Sequence, residues 1–71
     1  MKPLPFREIK RKLLKAGFLE VGQTGSHTKF SKITDGGTIT ATVPRHREVA
    51  SGTLRSILRQ AAISEKEFER L

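Results

Sequence analysis

The chain has 71 residues, 14 Lys and Arg against 7 Asp and Glu for a net charge of +7, and no cysteine. That length is expected to give one domain with a small core, and without cysteine there can be neither a disulfide framework nor a thiolate zinc site. No apolar stretch approaches a membrane span, and Lys2, Pro3, Pro5 and the charged run from Arg7 to Lys12 do not read as a signal peptide, so the expected setting is the cytoplasm.

Pro5 opens a helical pattern in which Phe6, Ile9, Leu13 and Ala16 share one face. Proline suits a first turn, where no amide donor is needed. Glu8 near the start and Lys15 near the end both agree with the helix dipole. Gly17 reads as a left-handed stop, with Phe18 folding back onto Leu13 as in a Schellman cap. The opposite face carries Arg7, Lys10 and Arg11, a solvated face with an RNA-backbone role as the lesser alternative.

From Leu19 to Val43 the period falls to two. Leu19 and Val21 alternate with Glu20, marking an apolar face for the first strand. After a turn at Thr24-Gly25, Thr28 and Phe30 alternate with His27, Lys29 and Ser31. Asp35-Gly36-Gly37 is a second turn, since glycine accepts the positive φ that a tight reversal requires. In the last strand Ile39, Ala41 and Val43 point inward, while Thr38, Thr40 and Thr42 point outward.

Pro44 ends that strand, because it cannot donate to a ladder. A basic loop, Arg45-His46-Arg47, leads into a second helix with a stripe of Leu54, Ile57, Leu58 and Ala61. Ser64 and Glu67 form a capping box, with Ile63 and Phe68 placed as its hydrophobic staple, so a short helix follows over about residues 65–70. The order predicts an α+β domain over residues 1–71. It is α-β-β-β-α with a short C-terminal helix, its three-stranded antiparallel sheet covered by helices on one face. Double-stranded-RNA-binding domains share this order, although fold order alone does not fix function.

The charge is unevenly placed. Residues 1–60 hold twelve Lys and Arg against four Asp and Glu, while residues 61–71 hold two against three. A basic body points to a polyanion, most often nucleic acid. Two histidines and scattered acids do not supply the converging ligands of a hydrolytic metal site. A Ser-His-Asp arrangement is also poorly supported, because Ser26 and His27 as strand neighbours would point to opposite faces.

RNA cleavage asks for less. The ribose 2′-hydroxyl is an internal nucleophile, so a protein need only orient it, move protons and oppose the charge on phosphorus. His27 and Lys29 fall on one strand face, with Thr40 or Thr42 expected beside them, and Arg45, His46 and Arg47 follow the neighbouring strand. An imidazole for proton transfer beside a phosphate-attracting cation suits that chemistry. His46 can be read as a second proton carrier, a phosphate contact or a loop-stabilising hydrogen bond. A non-catalytic RNA-binding module would use the same basic surface. A helix-turn-helix DNA binder fits poorly, since its recognition helix, residues 53–61, is needed to cover the sheet.

Four motifs in order, Gly17-Phe18, Gly25-Ser26-His27 with Phe30, Pro44-x-His46 and Gly52-Thr53-Leu54-Arg55-x-Ile57-Leu58, resemble the HicA family of toxin ribonucleases over about residues 6–68. The resemblance implies a small mRNA interferase with a double-stranded-RNA-binding-domain-like fold. Such a protein cuts messenger RNA, arrests translation and is held inactive by the antitoxin HicB. His27 falls on the family's catalytic histidine. Pro44 and His46 fall on its Pro-x-His pattern, for which no role carries over. The chain departs from the family at Ala62, where glycine is common, and in the loop from Arg47 to Ser51, which lacks the usual glycine or asparagine turn. The expectation is therefore an endoribonuclease without metal or cofactor. His27 would be its general acid/base, Lys29, Arg45, His46 and Arg47 would hold RNA, and HicB and mRNA would be its partners.

Overall fold

The computed structural model describes residues 1–71. The elements are α1 (Phe6–Lys15), β1 (Leu19–Thr24), β2 (His27–Thr34), β3 (Gly37–Pro44), α2 (Ser51–Ala61) and α3 (Glu65–Glu69). The strands form one antiparallel sheet in the order β1-β2-β3, and the helices supply the buried stripes that cover one of its faces. This is the α+β arrangement expected from the sequence.

α1 begins after Pro5, which is the N-cap residue rather than the first helical one. Its end is a Schellman motif. Gly17 has φ +99, its amide bonds to the Leu14 carbonyl at 3.1 Å, and the Phe18 amide bonds to the Leu13 carbonyl at 3.0 Å. Phe18 and Leu13 are both fully buried, so the cap fixes the exit of the helix and seats the first aromatic of the core. At the other end, a hydrogen bond from Arg11 Nε to Glu8 Oε1 at 3.0 Å holds the Glu8 carboxyl below the usual carboxylate range. A carboxyl lowered in this way stabilises the fold above its ordinary range, and that support is lost as pH falls through the lowered value. The pair is exposed, so its contribution is small.

Phe18 sets the phase of β1. With Phe18 turned inward, alternation sends Leu19 outward and Glu20 back toward the helices, where it meets Lys10 at 3.0 Å. Leu19 pairs with Ser31 on the open face and is 68% exposed. A bulge between Glu20 and Gly22 then leaves Val21 without a partner and exposed as well. The apolar face expected of β1 from Leu19 and Val21 is therefore on the open side. Ile33, 87% exposed, lies outside the core too.

β2 is the central strand. Thr28 and Phe30 are buried, while His27 and Lys29 are exposed. Its turn with β1 is Gly25-Ser26, one residue later than the sequence indicated, with Gly25 at φ +58. Opposite it on β3, Val43 faces Thr28 and Ala41 faces Phe30. Gln60 on α2 accepts the Thr42 amide at 3.1 Å, which satisfies one donor on the free edge of β3. Leu54, Ile57, Leu58 and Ala61 are all buried, as their spacing predicted. At α3 both bonds of the Ser64–Glu67 capping box form, and the Lys12 ammonium donates to the Phe68 carbonyl at 2.9 Å.

Two features of this packing carry a cost that substitution should remove. Ala62 ends α2 in the left-handed region, φ 57 and ψ 39. Ala62→Gly should relieve about 1–2 kcal/mol of strain against about 0.4–1 kcal/mol of added unfolded-chain entropy. Urea unfolding should therefore show a gain of about 0.5–1 kcal/mol, and a loss would contradict this reading of the cap. The Thr28 hydroxyl is buried without a hydrogen-bond partner. Thr28→Val should raise stability by about 1 kcal/mol in the same experiment, whereas a drop would mean that the hydroxyl has a partner in solution.

Candidate nucleic-acid interface

The open face of the sheet is built from residues that the core does not need. Because β2 buries Thr28 and Phe30, His27 and Lys29 must point the other way. Register then sets their neighbours. Lys29 lies opposite Thr42 on β3 and Gly22 on β1, while His27 lies opposite Pro44 and Thr24. His27, Lys29 and Thr42 line one shallow groove of about 260 Å³, with Val21, Gly22, Gln23 and Thr24 forming its other wall. Of the two threonines expected beside the imidazole, the groove includes Thr42.

The β1 wall was not foreseen. Gly22 lines the groove opposite Lys29, and a β-carbon there would meet nothing within 4 Å, so the groove is open at this point. An isolated glycine in a strand pattern is the sequence signature of a bulge, and that signal could have located this wall.

The basic loop is held by its main chain. The Arg45 amide donates to the Ser26 carbonyl at 2.6 Å, the Phe6 amide to the His46 carbonyl at 3.0 Å, and Leu4 and Val49 exchange two bonds of 3.2 and 2.7 Å. Val49 is buried and Arg45, His46, Arg47 and Glu48 are exposed. These bonds tie three distant segments together next to the turn that carries His27. The Arg45 guanidinium lies over the Phe6 ring at 5.4 Å, and that ring packs on Phe30 at 6.3 Å.

The expected site residues thus separate into three places. His27 and Lys29 share the groove on the open face. Arg45 stacks on Phe6, and Arg47 lines a second hollow with Pro5, Phe6 and Arg7. His46 lines neither; its backbone carbonyl caps the start of α1, and its side chain makes no hydrogen bond. No cluster of three or more His, Cys, Asp or Glu could hold a metal ion. No helix is long and apolar enough to cross a membrane.

A family model described as HicA toxin of bacterial toxin–antitoxin matches residues 6–63 of the 71. No curated protein matches the chain.

Proposed function

Because the chain belongs to the HicA toxin family, the toxin half of a toxin–antitoxin pair, we propose that it is a metal-independent endoribonuclease that cuts messenger RNA in the cytoplasm and arrests translation. The observation that carries this reading is the pairing of His27 and Lys29 in one groove on the open sheet face. A pure binder gains nothing from an imidazole there that Lys, Arg or Gln would not also provide.

The groove's residues suffice for the chemistry. His27 takes the proton of the 2′-hydroxyl as that oxygen attacks the adjacent phosphorus. The bond to the departing 5′-oxygen breaks, and the same imidazole returns the proton to it. Lys29, across the strand pair from Thr42, opposes the charge that grows on the phosphoryl oxygens. Arg45, His46 and Arg47, on the loop that follows β3, hold the RNA backbone beyond the groove. The chain has no Trp or Tyr, and Phe18, Phe30 and Phe68 are buried. Base stacking is therefore scarce and sequence preference should be loose. The antitoxin, HicB, neutralises the toxin by covering this groove. The exposed Leu19 and Val21 beside it provide the apolar area that such a contact needs.

The test is His27→Ala, assayed on single-stranded RNA with excess chelator in place of magnesium. His27 is exposed, so its removal should change stability by no more than about 0.5 kcal/mol. Loss of a general acid/base should lower the cleavage rate by ~10²–10⁴. In cells the wild-type chain should stop growth unless HicB is co-expressed, and the variant should be tolerated. A folded variant that cuts at the wild-type rate would remove His27 from the mechanism. An absolute need for metal would remove the metal-independent one, and binding without cleavage by the wild type would favour a non-catalytic RNA-binding module.

A further inference from the structure

Fourteen basic residues are not fourteen available cations. Lys10 is paired with Glu20, Arg11 with Glu8 and Arg55 with Glu65, and Lys12 is spent on the Phe68 carbonyl and ring. Arg7 and Arg47 are exposed and make no ion pair or side-chain hydrogen bond, although Glu48 adjoins Arg47 in sequence. They come from opposite parts of the chain, yet both line one open hollow of about 540 Å³ whose other walls are Pro5 and Phe6. No acidic side chain lines the hollow, although Glu8 next to Arg7 feels its charge, and two like charges brought together there repel each other, a cost that a bound anion would lower.

From this we propose that Arg7 and Arg47 form a second phosphate-binding subsite, which holds the RNA backbone away from the reacting bond. The inference rests on the ribonuclease reading for its choice of RNA as the anion. Guanidinium groups fit phosphate oxygens in bidentate geometry. The hollow shares no lining residue with the reactive groove, but the loop after β3 brings it within reach of the same RNA strand. Pro44 faces His27 across the ladder, and Arg47 is three residues further on, so their α-carbons lie within roughly 16 Å. Arg45, stacked on Phe6, sits between them in sequence. An acidic protein segment is the weaker match, because a protein interface is built around apolar anchors. Phe6 is the hydrophobic residue of this lining, and it is already covered by Arg45. The exposed large apolar residues lie outside this lining: Leu14 in the last turn of α1, and Leu19, Val21 and Ile33 on β1 and β2.

The subsite is tested by binding rather than cleavage, so that it stands or falls apart from the chemistry. In a His27→Ala background, affinity for a short single-stranded oligoribonucleotide is measured against salt concentration. Three proteins are compared: the background, Arg7→Gln/Arg47→Gln, and the charge-matched control Lys66→Gln/Arg70→Gln on the C-terminal segment. Loss of two phosphate contacts should flatten the slope of log K against log salt by about 1.4 and weaken binding roughly tenfold, with the control near the background. Equal slopes for the two double variants would overturn the subsite, since only total charge would then matter. So would no measurable binding by the background protein, or weaker capture of the antitoxin with RNA binding unchanged. A flattened slope in a chain whose wild type never cuts RNA would keep the subsite and discard the ribonuclease. Circular dichroism melts of all three proteins identify unfolding, and Arg7→Lys/Arg47→Lys, which keeps the charge, should recover most of the slope.

Discussion

Phe30 is the residue on which the site depends. It is fully buried in the central strand, opposite Ala41 and against the Phe6 ring. A large side chain facing a small one fills the layer between sheet and helices. Removing a buried phenylalanine costs about 3–5 kcal/mol, a large part of the net stability of about 4–10 kcal/mol typical of a chain this size. A slip of one residue would put Phe30 in water and His27 in the core. The same constraint that builds the core therefore presents His27 and Lys29 to solvent. The imidazole needs no hydrogen bond of its own to face outward.

The loop after β3 adds the second part of the site by a different means. Its side chains are free because its backbone is not. Bonds from Arg45 to Ser26, from Phe6 to His46 and between Leu4 and Val49 satisfy polar groups that would otherwise compete for side-chain partners. They leave three successive basic or imidazole side chains exposed beside the β1–β2 turn. Acidic residues, by contrast, are largely used to pin helices. Glu8, Glu20, Glu65 and Glu67 each hold a neighbour in place, which leaves Glu48 as the acidic residue of the basic loop. Toxin-family membership, an open sheet face bearing His27 and Lys29 beside a basic loop, and a buried scaffold beneath them form one consistent arrangement.

Much of this was legible in the residues. The alternation of His27 and Lys29 against Thr28 and Phe30 is a strict period of two. The Gly17-Phe18 stop and the Ser64–Glu67 box are local motifs whose partners lie within a few residues. Features set by long-range choices were not legible. Leu19 and Val21 read as a buried pair, but the inward turn of Phe18 and the bulge before Gly22 put both outside. Arg7, Lys10 and Arg11 look alike on the helix, and only the folded chain separates the two that are paired from the one that is free. Nothing local in residues 45–49 announces that they bond to residues 4–6.

The chemical nature of the cut ends tests the histidine mechanism most directly. RNA incubated with the purified chain and excess chelator would be analysed by mass spectrometry. Attack by the 2′-hydroxyl, with His27 moving the proton, must leave a 2′,3′-cyclic phosphate on one fragment and a 5′-hydroxyl on the other. Fragments ending in 3′-hydroxyl and 5′-phosphate groups would mean that water was the nucleophile, and would contradict it.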